Sequence, residues 1–121
     1  MSRVIHFEIS ANDPEKVTAF YKKVFGWNIQ KWDGPQEYWL VTTGEEGEGI
    51  NGGIFRPQEM FSGTVNTIGV ANVDEFAKKV KANGGQVVVE KMAIPGIGYQ
   101  VYCKDVEGTL FGIHQPDPNA K

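Results

Sequence analysis

His6 and Glu8 stand two residues apart in the segment Val4-Ile5-His6-Phe7-Glu8-Ile9. In an extended chain that spacing sends both side chains to one face and Ile5, Phe7 and Ile9 to the other. An imidazole beside a carboxylate suits general acid–base chemistry, which makes these two the leading catalytic candidates. A carboxylate in mid-strand is costly if buried without a partner, so Glu8 either reaches solvent in a cleft or is paired. The plainer reading makes both residues part of the solvated face of an open sheet. The second histidine, His114, lies near the other end of the chain. The lone cysteine, Cys103, has no His or Asp beside it in sequence to activate it and reads as a small apolar filler. Gly47, Gly49 and Gly52 match a GxGxxG spacing. An acidic turn precedes them, while strand-like Ile54-Phe55 and then Pro57 follow, so they mark a hairpin turn and not a phosphate cradle.

The elements that hold these residues are written twice. At a spacing of 59 residues Asp13 falls on Asn72, Val17 on Phe76, Tyr21 on Val80, Gly26 on Gly85, and Gly53-Ile54 on Gly112-Ile113. Two modules follow, about 3–55 and 64–115, with a linker at 56–63 and a frayed polar tail at 116–121. Each opens with a strand and continues into a helix. Asp13 is the expected N-cap before Pro14, Val17, Phe20, Tyr21 and Val24 form the expected apolar stripe, and Gly26 ends the helix. In the second module Asn72 caps, Glu75 sits three residues on, Val73, Phe76, Ala77 and Val80 form the stripe, and Asn83-Gly84-Gly85 stops it. Strands are expected at 27–32, 37–43 and 50–55, then at 86–94, 98–104 and 109–115, giving β-α-β-β-β twice. Trp27, Trp32, Tyr38 and Trp39 crowd the first module. Helix-covered strands must bury some of them, and a ligand pocket takes aromatic walls readily. Alternation alone does not decide between Tyr38 and Trp39.

Composition bounds the function classes. The chain has 121 residues, 40% hydrophobic and 22% charged, an ordinary balance for a folded domain that buries roughly 65% of its unfolded surface. Fifteen acidic residues against twelve basic, net −3, argue against a nucleic-acid groove. No apolar run reaches the length of a membrane span, and Met1-Ser2-Arg3-Val4 does not read as a signal peptide. One cysteine makes no internal disulfide, so a reducing cytoplasm is expected.

The duplicated β-α-β-β-β pattern resembles the vicinal oxygen chelate superfamily, which includes glyoxalase I, bleomycin-resistance proteins and extradiol dioxygenases. The similarity is strongest from His6 to Trp27, with its Asp-Pro-Glu helix start, Phe20-Tyr21 and Val24-Phe25-Gly26-Trp27. Asp105-Val106-Glu107-Gly108-Thr109-Leu110-Phe111-Gly112 is similar to the family's closing Asp-Pro-Asp-Gly-Asn-x-Phe-Glu motif. The resemblance implies an α+β fold in which two curved mixed sheets enclose a concave cavity. It also implies a divalent metal held by one ligand from the first and last strand of each module. Those positions here are His6, Gly53, Val65 and Gly112, so one donor of four is present, and Gly112 replaces a frequent Glu ligand.

The expectation is therefore a metal-free, small-molecule-binding protein similar to the metal-poor glyoxalase-like members, with no cofactor. The residues expected to line its ligand site are His6, Glu8, Trp39, Phe55, Thr67 and His114. The resemblance also implies a homodimer, in which His6 of one chain could meet His114 of its partner. With Glu8 they would form a two-His-one-carboxylate group for Fe, Zn, Ni or Mn in a metal-dependent lyase, isomerase or dioxygenase. A third reading is a protein-interaction module using exposed strand edges or the aromatic cluster.

Overall fold

The computed structural model describes residues 2–58 and 61–121; Glu59 and Met60, within the expected linker, lie outside the described residues, as does Met1. The order of elements is β1 (Arg3–Ser10), α1 (Pro14–Phe25), β2 (Asn28–Lys31), β3 (Trp39–Thr42), β4 (Asn51–Phe55), β5 (Thr64–Gly69), α2 (Val73–Ala82), β6 (Gln86–Ile94), β7 (Gly98–Lys104) and β8 (Leu110–Pro116). This is an α+β fold with the β-α-β-β-β order repeated. Two compact units result. One is His6–Val65; the other gathers Asn66–Lys121 with the residues up to Ile5.

Within each unit the strands run in the same pattern. In the first the order is β2-β3-β4-β1, and in the second β6-β7-β8-β5. β1 pairs with β4 in parallel, and β5 pairs with β8 in parallel, while the remaining neighbours are antiparallel. A parallel pair needs a crossover between its strands, and each module's helix and two middle strands supply that length.

Local chemistry sets the helix ends. Asp13 accepts the Lys16 N–H at 3.2 Å, Pro14 opens α1, and Gly26 closes it in the left-handed region at φ +71°. Asn72 accepts the Glu75 N–H at 2.9 Å to cap α2. The α2 stripe packs as its periodicity predicts, with Val73, Phe76, Ala77 and Val80 against Val101, Cys103 and Ile113. The α1 stripe is rotated from the expected one. Pro14, Val17, Thr18 and Tyr21 face the sheet, while Phe20 and Val24 are each 55% exposed. The aromatic stack explains the rotation: Tyr21 lies flat on Trp27, with ring centroids 4.8 Å apart, and this anchors the helix with position 18 inward.

That rotation buries the Thr18 hydroxyl, which has no hydrogen-bond partner among the described residues. An unsatisfied buried hydroxyl costs about 1–3 kcal/mol. Thr18→Val keeps the shape and removes the orphan, so chemical denaturation should show a gain of about 1 kcal/mol. An unchanged or lowered stability would mean that the hydroxyl is satisfied.

The tail differs from the frayed segment expected. The Gly96 N–H donates to the Ala120 carbonyl at 2.9 Å, the Asp117 N–H donates to the Ile97 carbonyl at 2.9 Å, and Ala120 is buried. Backbone pairing to the β6–β7 turn fastens a segment whose polar composition gives no sign of it. At the closing motif, Asp105 accepts the Thr109 and Glu107 N–H groups at 3.0 and 2.9 Å. Those bonds hold its carboxyl below the usual range and shape the β7–β8 turn. Cys103 is fully buried in the second core, and burial pushes its thiol up, away from the reactive thiolate.

Candidate functional site

Strand register separates the two faces of the first unit. Trp39 is opposite Ile54, and Leu40 is opposite Gly53, which also faces Glu8 across the parallel pair. Ile54, Trp39, Ile29 and Val41 form the core with Phe7, Ile9 and Val17. The opposite face carries His6, Glu8, Gly53 and Phe55. Trp39, expected to line the ligand site, is thus placed in the core at 6% exposure, while Tyr38 joins the other face.

Tyr38 connects the acid–base pair. Its hydroxyl donates to Glu8 Oε2 at 2.9 Å and lies 3.0 Å from His6 Nε2. With its proton directed to the carboxylate, the phenol oxygen must accept from His6, which assigns the imidazole as the Nε2–H tautomer with its lone pair on Nδ1. All three side chains are half-buried. Burial holds the His6 imidazole below its ordinary range, and the nearby Glu8 charge opposes this. A neutral imidazole with a basic Nδ1, linked through a phenol to a carboxylate, can accept a proton and share the resulting charge along the chain.

Three features seat Tyr38. The Trp32 N–H donates to the Tyr38 carbonyl at 2.7 Å, and Glu37 beside it pairs with Arg56 at 2.8 Å. The third is the missing side chain at Gly53, where a Cβ would overlap the Tyr38 hydroxyl and ring. Glycine here admits the phenol across the last strand.

The second unit repeats the device with other chemistry. Gly112 is opposite Thr67 in the parallel pair and opposite Tyr102 in the antiparallel one, as Gly53 is opposite Glu8 and Leu40. Gln100, two residues before Tyr102 as Tyr38 is two before Leu40, crosses Gly112. Its Nε2 donates to Thr67 Oγ1 at 3.3 Å, and its Oε1 is 2.9 Å from His114 Nδ1. The carboxamide oxygen can only accept, so His114 donates from Nδ1. A Cβ on Gly112 would stand 2.5 Å from Gln100 Nε2 and 2.7 Å from Thr67 Oγ1.

The residues singled out in the sequence are therefore distributed as follows. His6 and Glu8 are brought together through Tyr38, and Thr67 and His114 are joined through Gln100. Phe55, buried, lies on the face of Glu8 with Phe61 edge-on at 6.5 Å. Sequence reasoning missed Gln100 and left Tyr38 open. The signal for both was a last-strand glycine with a large polar residue two positions before its antiparallel partner.

Comparison with known proteins gives this geometry a setting. Residues 3–44 match the family model described as Bleomycin resistance protein-like N-terminal. CFP32 of Mycobacterium bovis and of Mycobacterium tuberculosis, whose name carries a provisional glyoxylase assignment, is 28% identical across 92% of this chain. The chain spans 43% of the length of these relatives. Hypothetical protein BH1468 from Bacillus halodurans superposes with a TM-score of 0.74 at 19% identity, covering 99% of this chain and 98% of that one. Methylmalonyl-CoA epimerase from Mycobacterium tuberculosis gives 0.73 at 15% identity, covering 96% and 89%. A methylmalonyl-CoA epimerase bound to methylmalonyl-CoA and NH4+ gives 0.73 at 15%, covering 100% and 99%. The first module is thus similar to the bleomycin resistance protein-like family, and the whole chain shares the fold of these solved structures.

The superfamily's divalent metal can be tested against the donors present. Of its four ligand positions only His6 has a donor side chain; Val65 has none, and the space beside Gly53 and Gly112 is taken by Tyr38 and Gln100. One imidazole does not suit a metal that takes three or more protein ligands. Among the described residues no group of three or more His, Cys, Asp or Glu side chains converges elsewhere. Nor is any described helix long and apolar enough to cross a membrane.

The His6 environment predicts a pH dependence. Its imidazole is held below the ordinary value in the folded chain, so the unfolded chain binds more protons as pH falls through the mid-sixes. This contribution to stability is full above the unfolded value and is lost as pH falls toward the folded one. Melting temperature should therefore drop more steeply on acidification in the wild type than in His6→Asn. Parallel pH profiles would show that His6 does not carry the effect.

Proposed function

We propose that this chain is a small-molecule-binding protein of the glyoxalase and bleomycin-resistance type that works through side-chain hydrogen bonding without the superfamily's metal. The observation that supports it is the Tyr38 hydroxyl, which fills the space over Gly53 and ties His6 to Glu8. The ligand-contacting residues proposed are His6, Glu8 and Phe55 with Tyr38 in the first unit and Thr67 and His114 with Gln100 in the second, each set taken by itself, and Trp39 supports the sheet of the first unit from behind. Any turnover would use His6 Nδ1 as proton acceptor, with Tyr38 and Glu8 stabilising the imidazolium. A homodimer in a reducing cytoplasm completes the reading, and sedimentation checks the dimer.

Metal content of tag-free protein purified without chelator, with thermal melts in Fe(II), Zn, Ni and Mn, tests the central claim. The expected result is sub-stoichiometric metal and melts unchanged by metal or chelator. Near-stoichiometric metal that is lost in His6→Ala would overturn it. The metal-dependent lyase, isomerase or dioxygenase using His6, Glu8 and His114 would then take its place.

A further inference from the structure

We infer that the first unit carries a second small-molecule site, on the helix-covered side of its sheet, for a small organic carboxylate with an apolar body. This goes beyond the reading above and does not depend on it. An open cleft of about 280 Å³ lies where α1 meets the edge strand β2, lined by Glu15, Thr18, Ala19, Lys22, Ile29, Lys31 and Trp39. The sequence explains why these residues converge. Glu15, Thr18, Ala19 and Lys22 follow the i, i+3, i+4, i+7 spacing of one helix face. Ile29 and Lys31 alternate to one face of β2, and Lys31 is opposite Trp39 in the β2–β3 pair. Only Gly26 and Trp27 separate helix from strand, so β2 must run back beside α1. Ala19 is the smallest of the four helix residues and leaves the gap open.

The floor of the cleft is apolar, with Ile29 and Trp39 both buried. Its rim is basic. Lysine stems cover apolar surface while their ammonium groups stay in water, and the Lys31 ammonium sits 5.5 Å from the centroid of the Trp39 ring. Among the described residues neither lysine makes an ion pair, and Glu37, whose charge reaches Lys31, is bonded to Arg56 at 2.8 Å. Glu15 is the one acid in the wall, so the lining carries two positive charges against one negative. Thr18 adds a hydroxyl with no partner among the described residues, a group able to donate to an oxygen anion. A carboxylate at the rim, with its apolar body on Ile29 and Trp39, uses all of these features. The module itself does not require them. At the 59-residue spacing α2 places Asp74, Ala77, Lys78 and Lys81 at the four helix positions. There the hydroxyl is absent, a lysine stands in place of Ala19, and Asp74 is bonded to Lys91 at 3.1 Å. The second helix still packs on its sheet.

The test titrates the full chain with benzoate, benzylamine and benzyl alcohol, followed by NMR of the backbone amides and of the Trp39 indole. Benzoate is expected to shift the α1 and β2 amides of the cleft and the indole signal, and to bind about fivefold or more tightly than benzylamine. Lys22→Gln with Lys31→Gln should weaken benzoate about fivefold and leave benzyl alcohol unchanged. Lys23→Gln, an exposed lysine outside the wall, should leave benzoate binding as it is. Ala19→Leu, a change that an exposed helix position accepts, should fill the cleft and abolish binding of all three probes. Benzylamine that binds as tightly as benzoate overturns the ligand class. Benzoate affinity unchanged in the double lysine variant, or lowered equally by Lys23→Gln, overturns the role of the two lysines. Binding retained in Ala19→Leu, or benzoate shifts confined to β1 and β4 or absent at tens of millimolar, overturns the site.

Discussion

Gly53→Ala is expected to unfold about 3 kcal/mol more easily than the wild type, a large loss for a single methyl group on a strand. Gly53 has pairing partners on both sides, Glu8 on β1 and Leu40 on β3, so its backbone has little room to shift. An added Cβ overlaps the Tyr38 hydroxyl and ring, and the phenol must leave. Overpacking accounts for about 1–3 kcal/mol, and loss of the Tyr38 bonds to His6 and Glu8 adds about 1–2 kcal/mol. Removing the obstructing ring should rescue the variant. Gly53→Ala with Tyr38→Ala is expected to be less unstable than the sum of the two single changes, as coupled neighbours require. Urea denaturation of the four proteins measures this. Strict additivity would mean that the glycine serves some purpose other than admitting the phenol.

Tyr38→Phe keeps the ring over Gly53 and deletes only the oxygen between His6 and Glu8. The half-buried imidazole N–H loses its acceptor, and the carboxylate loses one donor, which together should cost about 1–2 kcal/mol. The sharper readout is the imidazole itself. In the wild type the Tyr38 oxygen selects the Nε2–H tautomer, and nitrogen NMR of His6 should show it predominating. In Tyr38→Phe that selection disappears, and both tautomers should be populated. Identical nitrogen shifts in the two proteins would show that another contact orients the ring.

These experiments bear on what the last-strand glycines do in the two units. Glycine at the last-strand position leaves a slot in each unit. Here each slot is filled by a side chain from the preceding strand, a phenol in one unit and a carboxamide in the other. The filling residues reach the first strand of their own unit, Tyr38 to His6 and Glu8 and Gln100 to Thr67. A part-buried hydrogen-bonded network of this kind fixes the orientation of its members.

Much of this architecture was legible in the residues alone. Capping chemistry is local, so Asp13-Pro14 and Asn72 announced both helix starts, and Gly26 announced the end of the first. The 59-residue echo set out two modules because each repeats the same order of caps, stripes and glycines. Alternation placed His6 and Glu8 together because strand period is a property of the backbone. The same echo concealed the second site. It aligns Gln100 with Val41, whereas strand register makes Gln100 the counterpart of Tyr38. The two modules differ in loop length before the third strand, and pairing across a sheet follows hydrogen bonds and not position in the chain.

Tertiary structure decided what alternation leaves undetermined. Period two says that Tyr38 and Trp39 point apart, but only the docking of α1 says which one enters the core. The rotation of α1 by its Tyr21–Trp27 stack, which exposes Phe20 and Val24 and buries Thr18, depends on a contact between the helix and the segment after it. The fastening of Ala120 to the Gly96 N–H depends on a turn more than twenty residues earlier in the chain. The phenol over Gly53 needs a strand, its neighbour and an absent Cβ brought within one side chain's reach. Sequence determines which groups are available and which share a strand face; packing decides which face is buried and what crosses it, because that choice is made by surfaces far apart in the chain.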